Sequence, residues 1–216
     1  MRTKIRTHAE RKVSDRGDIL AILDEALVAH VGFIDDAGPF VIPLMYARLD
    51  NQLYLHGAAS GRLISVTSRA EQICVTITLL DGIVLARSAF KHSMNYRSVM
   101  IFGKPRLVTG EAEKRRAFAA LVEHVVPGRG ADTREASATE LETTGVIALD
   151  LEECSAKRRS GPPLDFKGDA ALPHWAGVVP AKLSFGTPQP DAGAENTPLP
   201  DYLRDYGRGK DKKAAP

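Results

Sequence analysis

The sequence predicts a mainly β protein with flanking helices, built as an antiparallel barrel or sandwich of six or seven strands. Three observations carry this. Apolar residues recur with period two through much of the stretch from His30 to Leu151, as half-buried strands require. Short turns rich in Asp, Asn and Gly join these runs, the mark of hairpins. No strand–helix–strand rhythm recurs, so a parallel sheet is not indicated.

Residues 1–14, beginning Met1-Arg2-Thr3-Lys4, read as a charged arm. From Asp15 to Ala29, Ile19, Leu20, Ile22, Leu23, Ala26 and Leu27 form one apolar helix stripe, with Ser14 or Asp15 as N-cap. The period then changes to two. His30–Ile34 is a strand, Asp35-Asp36-Ala37-Gly38 a turn and Phe40–Arg48 a second strand. Asp50-Asn51 turns the chain into a third strand, Gln52–His56. A loop with glycines, 56–61, leads to a short helix over Arg62–Arg69. Gln72–Leu80 alternates strictly, and Asp81-Gly82 reads as a turn into Ile83–Arg87. Tyr96–Val108 is a long strand with a bulge or bend at Gly103 and Pro105. Glu111–Val126 is an amphipathic helix that opens on acids, continues with bases and stops at Pro127-Gly128. Gly145–Leu151 is the last strong β run. Lys157–Pro163 reads as a loop, and His174–Pro180 as a short apolar island. Beyond Thr187 the composition is that of a mobile tail. The domain organisation is therefore an arm (1–14), one domain (15–186) and a tail (187–216).

Composition narrows the function classes. With 29 Lys and Arg against 27 Asp and Glu in 216 residues, the net charge is +2. Nucleic acid as the main partner would need a concentrated basic face. No run approaches the length of a membrane span, and the N-terminus lacks the apolar stretch of a signal peptide. A cytoplasmic protein without a membrane partner is expected. Cys74 and Cys154 form no CxxC; one disulfide is arithmetically possible, and two thiols are the better reading. The nucleotide-binding glycine motifs, HExxH and GxSxG are all absent, and the six histidines show no metal-site spacing, so no metal site is expected.

Two segments stand out. In Tyr54-Leu55-His56-Gly57-Ala58-Ala59-Ser60-Gly61-Arg62 a strand ends, small residues allow close backbone approach and an arginine opens a helix. Backbone N–H groups, Ser60 and Arg62 can together hold a phosphate. The same pattern fits a tight loop with a solvated arginine, and His56 a plain strand-end histidine. The second segment, His92 to Gly103, places Asn95, Arg97 and Ser98 at the head of an apolar strand. They could meet the edge of a heteroaromatic ring, or only mark a strand that starts at the surface.

Together these segments resemble the pyridoxamine 5′-phosphate oxidase-like flavin-binding superfamily, closest to its branch of nitroimidazole-resistance and flavin-nucleotide-binding proteins. The resemblance rests on Phe40-Val41-Ile42-Pro43-Leu44-Met45-Tyr46, on Leu53-Tyr54-Leu55-His56 with Gly61-Arg62-Leu63, and on Tyr96-Arg97-Ser98-Val99-Met100-Ile101-Phe102-Gly103, over roughly residues 15–150. It implies a split β-barrel homodimer that binds FMN between subunits. Arg62 would hold the phosphate, helped by Ser60 and the backbone of His56 and Gly57. Pro43, Leu44, Met45 and Tyr46 would line the flavin ring, with Asn95, Tyr96, Arg97 and Ser98 near its polar edge. Trp175 would reach the flavin from the C-terminal segment, or else anchor a loose C-terminus by packing. His56, able to titrate near neutrality, is a candidate proton donor. Where the oxidase branch has adjacent arginine and lysine, this chain has Gly61-Arg62, and the branch's basic C-terminal substrate motif is missing.

The resulting expectation is an FMN-dependent oxidoreductase that passes electrons from a nicotinamide cofactor, NAD(P)H, to a small organic acceptor, a nitroaromatic being one candidate. A flavin-storage or sensing module and a vitamin B6-phosphate binder are the alternatives, and a deazaflavin or haem could replace FMN.

Overall fold

The computed structural model describes residues 3–208; the expected Met1-Arg2 start and the Lys210–Lys213 run lie outside the described residues. In chain order the elements are β1 (Lys12–Val13), α1 (Arg16–Glu25), β2 (Val28–Asp35), β3 (Gly38–Leu49), β4 (Gln52–Ala58), α2 (Arg62–Thr67), β5 (Ile73–Leu85), β6 (Ser93–Gly103), β7 (Arg106–Leu107), α3 (Glu111–Val125), α4 (Ala138–Thr143), β8 (Thr144–Asp150), β9 (Cys154–Arg159), β10 (Gly177–Pro180) and α5 (Asp201–Arg204).

The strands run β1-β9-β6-β5-β2-β3-β4-β8-β7, with β10 on β5, and all the pairings are antiparallel. This is the split β-barrel. Its twelve-residue strand β3 makes the corner: its first part pairs with β2 and its last part with β4. Period two decides what is buried. Val31, Phe33, Leu53, Leu55, Val75, Ile77, Val99 and Ile101 face inward and meet Ile19, Ile22 and Leu23 of α1 in one core. Asp15 caps α1 by accepting from the Asp18 N–H at 2.8 Å, as its place before the apolar stripe predicts. Helix α3 covers the other face of β4 and β8, where Tyr54, Val146 and Ala148 pack with Val108 and Ala117.

Five expectations change. The described residues form ten strands, because short strands at the ends of the chain complete the sheet. Asp81-Gly82 is not a turn. β5 runs straight through it with a bulge, and the glycine is needed for a different reason: a Cβ at Gly82 would stand 3.0 Å from Val179 O of β10. Lys157, Arg158 and Arg159 are not a loop but the end of β9, whose charges hid its pairing to β6. The arm is not free throughout, since Lys12 and Val13 pair with β9 and the Lys157 ammonium donates to Thr7 O. The tail is not detached either. The Tyr202 hydroxyl donates to Asp132, Tyr206 donates to Val125 O, and the Arg208 guanidinium donates to Asp24 O, Glu25 O and His124 O. These carbonyls end α1 and α3, where backbone acceptors lack helical partners and a cation is favoured.

Candidate functional site

The loop between β4 and α2 owes its shape to glycines at two places. Gly57 pairs with Gly145 across the β4–β8 ladder. A Cβ at Gly145 would lie 2.5 Å from Ile64 Cγ2, so the bare backbone lets α2 sit directly on the sheet. Gly61 then caps α2; a Cβ there would meet Ala58 O at 3.0 Å. No side chain caps this end, so the N–H groups opening α2 lack a capping partner of the usual kind.

Arg62 follows. Its side chain is 56% exposed, its guanidinium lies 4.5 Å over the Phe40 ring, and its Nε stands 3.2 Å from Asp35. Phe40 itself stacks on Phe33. Arginine, serine hydroxyl and uncapped N–H groups are the donor set of a phosphate site, and the glycines keep it open. The residues present therefore fit the phosphate of a flavin nucleotide.

The pleat sorts the ring-lining candidates. Pro43 and Met45 point to the outer face of the sheet, opposite His30 and Val28 of β2. They lie three and five residues beyond Phe40, about 10–17 Å along the strand. Arg62, over Phe40, stands on the opposite face of β3, because Phe40 pairs directly with the inward-facing Phe33. Leu44 faces the other way and packs against the core. Tyr46 is fully buried, and its hydroxyl donates to Leu23 O at 2.5 Å, with its own ionisation pushed far up by burial. Neither can face a ring on the sheet's outer side; four consecutive residues cannot line one surface of a strand.

The second cluster divides similarly. Tyr96 and Ser98 are half-buried and share the outward parity of Leu80 and Thr78. Arg97 points the other way. It chelates Glu25 of α1 and Asp81 of the β5 bulge, with contacts of 2.5–3.2 Å that hold it charged. It links α1 to the β5 bulge, so in this structure its guanidinium is spent on two carboxylates. Asn95 is buried, bonded to Gly161 O and to the Arg159 guanidinium, so its polar atoms are also taken.

His56 lies on the α3 side of β4, its ring edge-on to Phe118 with centroids 6.4 Å apart. Its buried Nδ1 has no hydrogen-bond partner, and burial pushes its pKa below the ordinary histidine value. A neutral imidazole accepts or ligates better than it donates a proton. Trp175 is 67% exposed and folds over Gly177, where a Cβ would meet its ring at 2.7 Å.

Sequence reasoning missed the region around Arg87. Arg87 binds Asp165 through both its backbone N–H and its guanidinium, yet its buried Nε has no partner. Helix α4 was also missed, although Ser137 and Glu140 carry the capping-box spacing and form the box. Cys74 and Cys154 are both free thiols. No helix among the described residues is long and apolar enough to cross a membrane.

Comparison with known proteins finds the same fold. The structure of the flavocytochrome Anf3 from Azotobacter vinelandii is similar at TM-score 0.90 and 37% identity, covering 96% of this chain and 97% of that one. A FAD- and haem-binding protein from Mycobacterium smegmatis is similar at TM-score 0.86 and 32% identity, over 92% of this chain and 98% of that one. A protein from Bacteroides thetaiotaomicron named for 5-nitroimidazole antibiotic resistance matches at TM-score 0.57 and 26% identity, over 68% of this chain and 85% of that one. Among curated proteins none matches. The profile of the pyridoxamine 5′-phosphate oxidase family matches residues 15–158, and the chain belongs to that family.

Proposed function

We propose that this chain is a flavin-dependent oxidoreductase that carries haem as a second cofactor. The observation that carries the reading is one of coverage. The two neighbours named for flavin and haem, a flavocytochrome and a FAD- and haem-binding protein, match over 96% and 92% of this chain. The nitroimidazole-resistance neighbour matches over only 68%. The likeness to flavin–haem proteins thus extends past the core barrel into the C-terminal segment.

Bound flavin supplies hydride and single-electron chemistry. The residues of this chain bind and orient it. Arg62 and Ser60 take the phosphate beside Phe40; Pro43 and Met45, on the opposite, outer face of β3, are the candidate apolar contacts for a ring there. Tyr96 and Ser98 add polar groups on the same face of the sheet. The FMN unit is common to FMN and FAD, so this donor set accepts either. The FMN expected from the family resemblance is one form; the mycobacterial neighbour favours FAD. A reduced nicotinamide is the proposed electron donor, and a small organic molecule the acceptor.

The site is proposed to close in a homodimer. Val28, Ile34, Val41 and Met100 are 40–77% exposed along β2, β3 and β6. A row of apolar residues on an open sheet face suits a partner copy. The experiment is to purify the protein, record its flavin and haem spectra, and add NADPH or NADH to the intact holoprotein, with the flavin released and identified from a separate sample. Bleaching of the flavin band followed by reoxidation with an acceptor supports the oxidoreductase. Flavin that nicotinamide cannot reduce would leave a storage or sensing module.

A further inference from the structure

Between α1, the β5 bulge and the end of β9 lies a cleft of about 840 Å³, within the size range of small-molecule sites. Ile22 and Ala26 of α1, Leu79 of β5 and Leu183, which follows β10, give it apolar wall. Its four carboxylates each have a cation already. Arg48 chelates Asp24, Arg97 holds both Glu25 and Asp81, and Arg158 stands 3.4 Å from Asp18.

Arg159, on the same wall, has no such partner. It is only 8% exposed, and among the described residues no carboxylate pairs with it. Its guanidinium donates to Asn95 Oδ1, to Gly161 O at 3.3 Å and to Pro162 O at 3.1 Å, all neutral acceptors. These bonds leave its Nε–H without an acceptor among the described residues. Unlike the Arg87 Nε, this nitrogen is not sealed from solvent. Burial and the neighbouring Arg11 both push the Arg159 pKa down, as expected of a cation without a counter-charge. Arg208, which also lines the cleft, likewise donates only to backbone carbonyls. Burying a charge is costly unless it is paired, and the chain's own described residues leave this one unpaired.

We propose that this cleft binds a small organic carboxylate with an apolar body, and that Arg159 is its counter-ion. The carboxylate takes the open donor of Arg159, with Ser160 beside it as a hydroxyl donor, and the body lies on Leu79 and Leu183. The assignment does not rest on the flavin reading. The cleft lies beside Ala26 and Leu27, just before β2, whereas Arg62 meets Asp35 at the far end of that strand, about 20 Å along it.

The test is calorimetric titration of the full chain, as purified, with 2-naphthoate and with 2-naphthamide. Naphthoate should bind, and the amide, which has the same shape without the charge, should bind at least about tenfold more weakly. Arg159→Gln should lose naphthoate affinity by a similar factor. Leu183→Glu separates binding from folding, because the position is 66% exposed. The added carboxylate should weaken naphthoate binding and leave the melting temperature unchanged. Arg62→Ala should bind naphthoate as wild type does. Absence of naphthoate binding, equal affinity for acid and amide, or unchanged affinity in Arg159→Gln and Leu183→Glu would overturn the assignment. So would release of bound flavin by naphthoate, which would make the cleft part of the flavin site. A protein that takes naphthoate through Arg159 but holds no flavin would keep this assignment and overturn the flavin reading.

Discussion

Arg62 and Asp35 form an ion pair, 3.2 Å from Nε to carboxylate, where the β4–α2 loop meets the β2–β3 hairpin. Asp35 also accepts from the Ala37 N–H in that hairpin turn. The cation on which the phosphate reading depends is therefore already held in place, over Phe40, before any anion arrives. A phosphate must share it with Asp35.

Arg62→Ala should weaken flavin binding. A charge-assisted hydrogen bond contributes ~1.5–3 kcal/mol, or about 10- to 100-fold in affinity. The lower figure is expected here, because the side chain is half exposed and shared. Asp35→Asn should tighten binding by removing a like charge from beside the phosphate. Flavin titration of both variants checks this; equal affinity in all three proteins would remove Arg62 from the site.

Gly145→Ala should damage the site without touching ligand. The new methyl would overlap Ile64, so α2 must shift and carry Arg62 with it. Lower thermal stability together with weaker flavin binding is expected. Pairing it with Ile64→Val, which trims the side chain it strikes, should restore part of both.

Acid should destabilise the fold. Burial lowers the pKa of both His56 and His124 below the ordinary 6.5, so the unfolded chain takes up protons more readily than the native one. Their contribution is fully present above that value and is lost as pH falls through it towards the depressed native values. Melting temperature should therefore fall as the pH is lowered below the ordinary histidine value, and fall less steeply in His124→Gln.

Arg208→Ala should lower the melting temperature yet leave flavin bound. The side chain donates to three carbonyls at the ends of α1 and α3, away from the Arg62 loop. Removal of residues 190–216 should do the same. Flavin loss in either variant would show that the tail closes the cofactor site.

The sequence made the barrel legible because its strands obey period two and its hairpins use Asp, Asn and Gly. Strands β2 to β4, α1 and α3 all stand within a few residues of where the pattern puts them. It failed where charge outweighs pattern. Lys157-Arg158-Arg159 looks like solvent-loving loop, but β9 is bordered outside only by the two-residue β1, and β6 pairs with it regardless. It also failed where a glycine answers to a distant neighbour, as Gly82 does to β10. In the site, Arg62 and its glycines were readable from local spacing. The inward turn of Tyr46 and Arg97 was not, since the motif names residues in a row while the pleat alternates them.

The central claim is that this barrel holds a flavin through the Arg62 loop. Its most direct test is the absorbance spectrum of the purified wild-type protein beside Arg62→Ala, with the flavin released by heat and identified by chromatography. Wild type should show a flavin spectrum in stoichiometric amount, and the variant a clear deficit. A folded wild-type protein that neither contains nor takes up FMN or FAD would contradict it.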